Sequence, residues 1–212
     1  MWNEQIIMML LEGIKDTLYM TLTSTLIGYV IGLPMGILLT VTDKDGIHPN
    51  AAVYKVLDVI ANLIRSVPFL ILLIVLIPFT RFLIGRSYGP TATIVPLVIA
   101  AAPYIARMVE SSLKEVDAGV IEAARSMGAS NFTIVTKVML VEARTSLIVG
   151  ATISLGTILG YSAMAGTVGG GGLGDIAIRY GYTRWQTDIM IVTVILLVIL
   201  FQIFQTIGMK LA

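Results

Sequence analysis

Asp117–Ala143 reads DAGVIEAARSMGASNFTIVTKVMLVEA, a stretch carrying charges of both signs inside a chain that is otherwise largely apolar. Asp117 is placed to cap the free N–H groups that open a helix, and Gly128 to take the left-handed conformation that ends it. Between them Val120, Ala123, Ala124 and Met127 recur at helical spacing and predict one small apolar face, flanked by Glu122 and Arg125. Ser130 then predicts the cap of a second helix running through Phe132, Val135, Val138 and Met139. A short amphipathic helix with no home for its apolar face in its own fold suits a groove on another protein. The plainer alternative is a surface helix between two membrane spans, held only by its caps.

The surrounding chain has 212 residues, 57% hydrophobic and 13% charged, with a mean hydropathy of +0.92. That balance excludes an ordinary soluble domain and predicts an all-α protein that crosses the membrane several times. With no cysteine, disulfides, zinc-thiolate sites and thiol catalysis are excluded. A net charge of +1 argues against nucleic acid as a partner. No lysine follows a glycine, so the phosphate-binding G-x-x-x-x-G-K-[ST] loop does not occur. The single histidine, His48, falls in the turn DKDGIHPN, and no catalytic or metal-binding set is expected.

Residues 1–16 are expected to be an interfacial amphipathic helix, with Trp2 near the headgroups. They lack the basic start and longer apolar run of a signal peptide. The rest, 17–210, is expected to be one transmembrane domain of five spans, about 17–42, 58–80, 87–106, 145–166 and 189–209. The loop 115–143 lies between the third and fourth spans. Thr17–Thr42 is uncharged for 26 residues, long enough to span. In it Gly28, Gly32 and Gly36 make a flat strip for close helix packing, within the chain or between copies. Pro34 predicts a kink there, and Pro68 and Pro78 predict a bend in the second span. Asp58, Asn62 and Arg65 share one face of that second span. Arg65 is either functional or near enough to the interface to snorkel. In the fourth span Gly156, Gly160, Ser162 and Gly166 again mark close packing. Gly169, Gly171 and Gly174 formally fit G-x-G-x-x-G, but a dinucleotide site needs a preceding strand and this follows a span.

Glu122-Ala123-Ala124, three residues, Gly128, nine residues and Val138-x-Leu140 resemble the EAA loop of ABC-importer permeases. Val141 stands where that motif has proline, a departure that bears on the second helix. Leu18–Val41 and Tyr161–Tyr182 extend the likeness to the small five-span permeases of methionine-importing ABC systems. The resemblance implies a permease subunit with its loop in the cytoplasm, docked on a separate ATPase subunit through Glu122, Ala123, Ala124, Arg125 and Gly128. It implies two permease copies, two ATPase subunits carrying ATP and magnesium, and a substrate-binding protein outside. It also implies methionine or its derivatives as substrate, on a path bordered by Tyr161, Ser162 and Met164. A permease for another small amino acid or peptide, or a self-contained secondary transporter or channel, are the alternatives. The second of these ordinarily needs intramembrane acids or paired repeats, which the uncharged runs do not offer.

Five spans with the loop inside place the N-terminus outside and the C-terminus in the cytoplasm of a bacterial inner membrane. Nine basic residues then lie inside (Lys44, Lys55, Arg65, Arg107, Lys114, Arg125, Lys137, Arg144, Lys210) against five outside (Lys15, Arg81, Arg86, Arg179, Arg184). That is the sign the positive-inside rule requires.

Overall fold

The computed structural model describes residues 4–212, and all regular structure among them is helical. Trp2 lies outside the described residues. In order the helices are α1 (Glu4–Thr42), α2 (Ala51–Ser66), α3 (Phe69–Val75), α4 (Ile77–Ile84) and α5 (Pro90–Lys114). The loop then holds α6 (Ala118–Ser126), α7 (Asn131–Thr133) and α8 (Leu140–Glu142), the last two joined by a wider π-type winding at Ile134–Met139. There follow α9 (Arg144–Ala165), α10 (Gly172–Ile176), which continues as π-type winding to Tyr182, and α11 (Thr187–Leu211). Four helices are long and apolar enough to cross a membrane, and a fifth span is present if α2 and α3 are one broken crossing.

Two expectations need correction. No boundary separates residues 4–16 from the first span, because α1 is one helix of 39 residues that also runs unbroken through Pro34. Leu10 and Gly13 near its start are buried, and Leu10 packs with Leu173, Ile176 and Ile189. Those contacts give the first turns a reason to continue the helix. The second span is not one bent helix, since α2 and α3 meet at 101°. Val67, the residue before Pro68, is extended (φ −85°, ψ 125°), as the proline ring demands.

The core is built around α5, whose most apolar stretch is 67% buried, against 11% for α11. One face of α1 lies on α5 and is made of small and hydroxyl residues. A Cβ at Gly32 would stand 2.6 Å from the Ala102 carbonyl oxygen, and one at Gly36 would stand 2.5 Å from that of Ala106. Gly28 faces Ala101 and Ile105 in the same way. The glycine strip is thus filled by a helix of its own chain, which leaves no room for a second copy to use it. Hydroxyls on that face bond back to their own helix, Thr17 to the Gly13 carbonyl at 2.8 Å and Thr25 to Thr21 at 2.7 Å. This satisfies those two buried hydroxyls, whereas Ser24 Oγ on the same helix is buried without a hydrogen-bond partner. On the other side α9 packs against α5, where Ser146 donates to Ser112 at 3.0 Å. Gly156 of α9 receives the ring of Phe201 from α11. Gly160 faces open space.

Because lipid is as apolar as leucine, what holds α1 on α5 is close fit. Gly32→Leu forces the Ala102 backbone away, and overpacking of this kind costs about 1–3 kcal/mol or more. Gly160→Ala, with nothing near its Cβ, costs little. Thermal melting of the purified chain in detergent is expected to show a lower midpoint for the first variant only.

Candidate functional site

The geometry of α6 follows from its ends. Asp117 accepts from the Gly119 N–H at 2.7 Å. At the other end Gly128 has φ +82°, with Ala129 N–H donating to the Ala124 carbonyl at 3.1 Å and Gly128 N–H to Arg125 at 2.9 Å. This paired arrangement is the Schellman termination, which glycine adopts without strain. Ser130 accepts from the Thr133 N–H at 3.2 Å and opens α7.

The predicted apolar face divides. Ala124 is buried and Ile121 half-buried, and both pack into the main core with Ile134 and Met139. Val120, Ala123 and Met127 remain exposed, joined across the turn by Phe132. Met127 and Phe132 are 82% and 78% exposed, a large apolar area to leave bare at a helix end. The packing turns Ala124 inward because Ile121, three residues earlier, is the larger group that the core accepts.

Glu122 is exposed and lines a cavity of about 770 Å³ between α6 and the turn joining α1 to α2. Arg125 lines the same cavity but is engaged within the chain, donating to the Ile47 carbonyl at 2.8 Å. Arg125, exposed on its outer side, thereby ties α6 to that turn.

Above the cavity lies a charge cluster that the sequence showed only as scattered residues. Arg107 Nη2 pairs with Asp58 and donates to Asn62 Oδ1 at 3.1 Å, while Nη1 donates to Glu110 at 2.6 Å. Lys114 bridges Glu110 at 2.8 Å and Asp43 at 2.6 Å. Glu110 is 5% exposed, so it needs both cations. The cluster joins the end of α1, α2 and α5. Its only signal in the sequence was the spacing of Arg107, Glu110 and Lys114 along one side of a helix. Arg65, which the sequence places on one face with Asp58 and Asn62, stays outside it.

The three expected path residues are not brought to one surface. Ser162 is buried against α1, within 3.4 Å of the Thr21 hydroxyl, and donates to the Leu159 carbonyl. Its role is corrected to helix packing. Met164 is exposed, and Tyr161 stacks on Phe69 with ring centroids 4.5 Å apart. Among the described residues no group of three His, Cys, Asp or Glu side chains could hold a metal ion.

Residues 16–209 match the family described as binding-protein-dependent transport system inner membrane component, and the chain belongs to that family. Among its relatives, a probable D-methionine transport system permease protein of Vibrio cholerae is 48% identical over 200 residues, 94% of this chain and 89% of that one. The D-methionine transport system permease protein of Escherichia coli K12 is 51% identical over 164 residues, 77% of this chain and 76% of that one. A chain of the MetNI methionine ABC transporter, solved in inward-facing conformations, superposes with a TM-score of 0.97 at 48% identity, covering 99% of this chain and 97% of the other.

The Lys114 ammonium holds the Asp43 carboxyl below its ordinary range, chiefly through their hydrogen bond. A carboxylate with a lowered folded pKa stabilises the fold above its unfolded pKa and loses that contribution as pH falls through the folded value. Asp43→Asn is expected to cost up to about 1 kcal/mol at neutral pH. Melting curves of both forms are expected to differ at pH 7 and to converge once acid has protonated Asp43.

Proposed function

We propose that the chain is the permease subunit of an ATP-driven importer of methionine, of either hand, and its derivatives. The names of the close relatives and of the matched transporter support the substrate. The feature that carries the coupling half of the reading is the exposed knob of Val120, Ala123, Met127 and Phe132, beside Glu122. In this reading residues 107–144 face the cytoplasm, the N-terminus lies outside, and α2 with α3 completes a fifth span. Two copies enclose the path, two ATPase subunits carry ATP and magnesium, and a binding protein delivers substrate from outside.

The mechanism rests on how α6 is held. Ala124 and Ile121 anchor it in the core, and Arg125 ties it to the α1–α2 turn. Movement imposed on α6 by a docked ATPase therefore reaches α1, α2 and α5 together, through rigid packed helices. ATP biases the transporter because its binding energy differs between the two arrangements of that ATPase pair.

Glu122 presents a carboxylate to the partner's cleft, and Gly128 sets the helix end. Breaking a desolvated, hydrogen-bonded charge contact costs ~2–5 kcal/mol, about 30-fold or more in affinity. Glu122→Lys is expected to reach the membrane at normal abundance while losing ATPase co-purification and methionine uptake together. Gly128→Val, strained at φ +82°, is expected to act in the same direction. Normal ATPase retention and uptake by Glu122→Lys would leave this stretch a connecting loop.

The orientation has its own check. A cysteine placed at Ser130 is expected to resist a membrane-impermeant thiol reagent in intact cells, and one at Thr183 to react. The absence of native cysteine keeps the background clean. Labelling at Ser130 in sealed cells reverses the topology.

A further inference from the structure

The elbow between α2 and α3 opens a second cavity of about 180 Å³. Arg65, Val67, Phe69, Leu72, Tyr104 and Tyr161 line it. Its depth follows from α5, because Ala100 and Tyr104 border the cavity and each lies ten residues from an end of Pro90–Lys114. At 1.5 Å per residue Ala100 is about 15 Å from the start of α5, and Tyr104 lies one turn before Arg107 of the charge cluster. Arg65 makes no hydrogen bond or ion pair within the described residues, and no acid borders the cavity. The nearby carboxylates of Asp58 and Glu110 are already paired with Arg107 and Lys114. Among the other lining residues, Phe69 and Tyr161 stack within 7° of parallel, and Tyr104 accepts from Thr157 at 3.4 Å.

Arg65 is exposed and unpaired beside these aromatic walls, which leaves its guanidinium free to take an anionic group. A guanidinium matches a carboxylate through two parallel hydrogen bonds, and aromatic ring edges receive a thioether. We propose that the elbow cavity is a substrate site within the permease. Arg65 takes the carboxylate of an α-amino acid, and the Phe69, Tyr161 and Tyr104 walls take its apolar side chain. The site rests on the methionine reading above and adds a chemical basis for it, since the carboxylate is shared by both hands of the amino acid and by derivatives altered at the side chain.

The test uses the complex of permease and ATPase in nanodiscs, without the binding protein, and a diazirine analogue of methionine that keeps the α-carboxylate. Photo-crosslinking is read by mass spectrometry on peptides of this chain, so that any site on the ATPase does not contribute. Labelling is expected beside the elbow, with methionine protecting and methioninol, which lacks the carboxylate, failing to protect. Arg65→Gln is expected to lower labelling tenfold or more, Arg65→Lys to retain part of it, and Arg81→Gln to leave it unchanged. ATPase co-purification checks that each variant assembles, and a merely structural arginine would not discriminate methionine from methioninol. Equal protection by methioninol, or wild-type labelling of Arg65→Gln, overturns the site. Methionine uptake by the complete wild-type transporter with no labelling at the elbow also overturns it and leaves the importer reading standing. A complete transporter that takes up no methionine overturns that reading, and this site's ligand with it.

Discussion

The contact on which the rest depends is the bare backbone approach of α1 to α5. Gly32 and Gly36 stand so near the carbonyls of Ala102 and Ala106 that no side chain fits between them. In lipid, helices gain nothing from hiding apolar surface, so shape has to supply the attraction. Small residues on α1 and the alanines of α5 supply it, and the hydroxyls of Thr17, Thr25 and Thr40 are tied to carbonyls of their own helix. Once α1 and α5 are fixed, α9 has one side left on α5, and α2 lies across the polar end of both.

At that end the character of the packing changes. Arg107 and Lys114 hold three carboxylates between them, and there charge takes over from close fit. The cost of burying Glu110 is offset only because both cations converge on it. The result is a rigid polar platform beneath which α6 is slung, its inner side in the core and its outer side bare. An exposed methionine and phenylalanine on such a platform are positioned rather than merely unburied.

Much of this was legible in the residues. The caps of α6 were readable because Asp117, Gly128 and Ser130 act within a turn of their own positions, and local geometry is what sequence spacing reports. The glycine strip was readable for the same reason, although which helix filled it was not, since Ala102 and Ala106 lie some seventy residues away. The break at Ser66–Pro68 was underestimated, because a proline signals a bend without its angle. The charge cluster was missed because Asp43, Asp58 and Arg107 meet only after three helices have packed. The division of the α6 face depended on whether Ile121 or Val120 found the core, and that is a tertiary choice.

The continuity of α1 has a mechanical consequence. A helix of 39 residues is roughly 58 Å long, about twice the hydrocarbon thickness of a bilayer. Its bare backbone contact with α5 lies off centre, with 28 residues from Glu4 to Gly32 and 10 from Gly32 to Thr42. A stiff rod turning about that point has unequal arms, so a small shift beside the α1–α2 turn becomes one about threefold larger, and opposite in direction, at the far end. That far end is seated on Leu173 and Ile176. The two ends of the helix bundle are thereby joined by a single continuous helix.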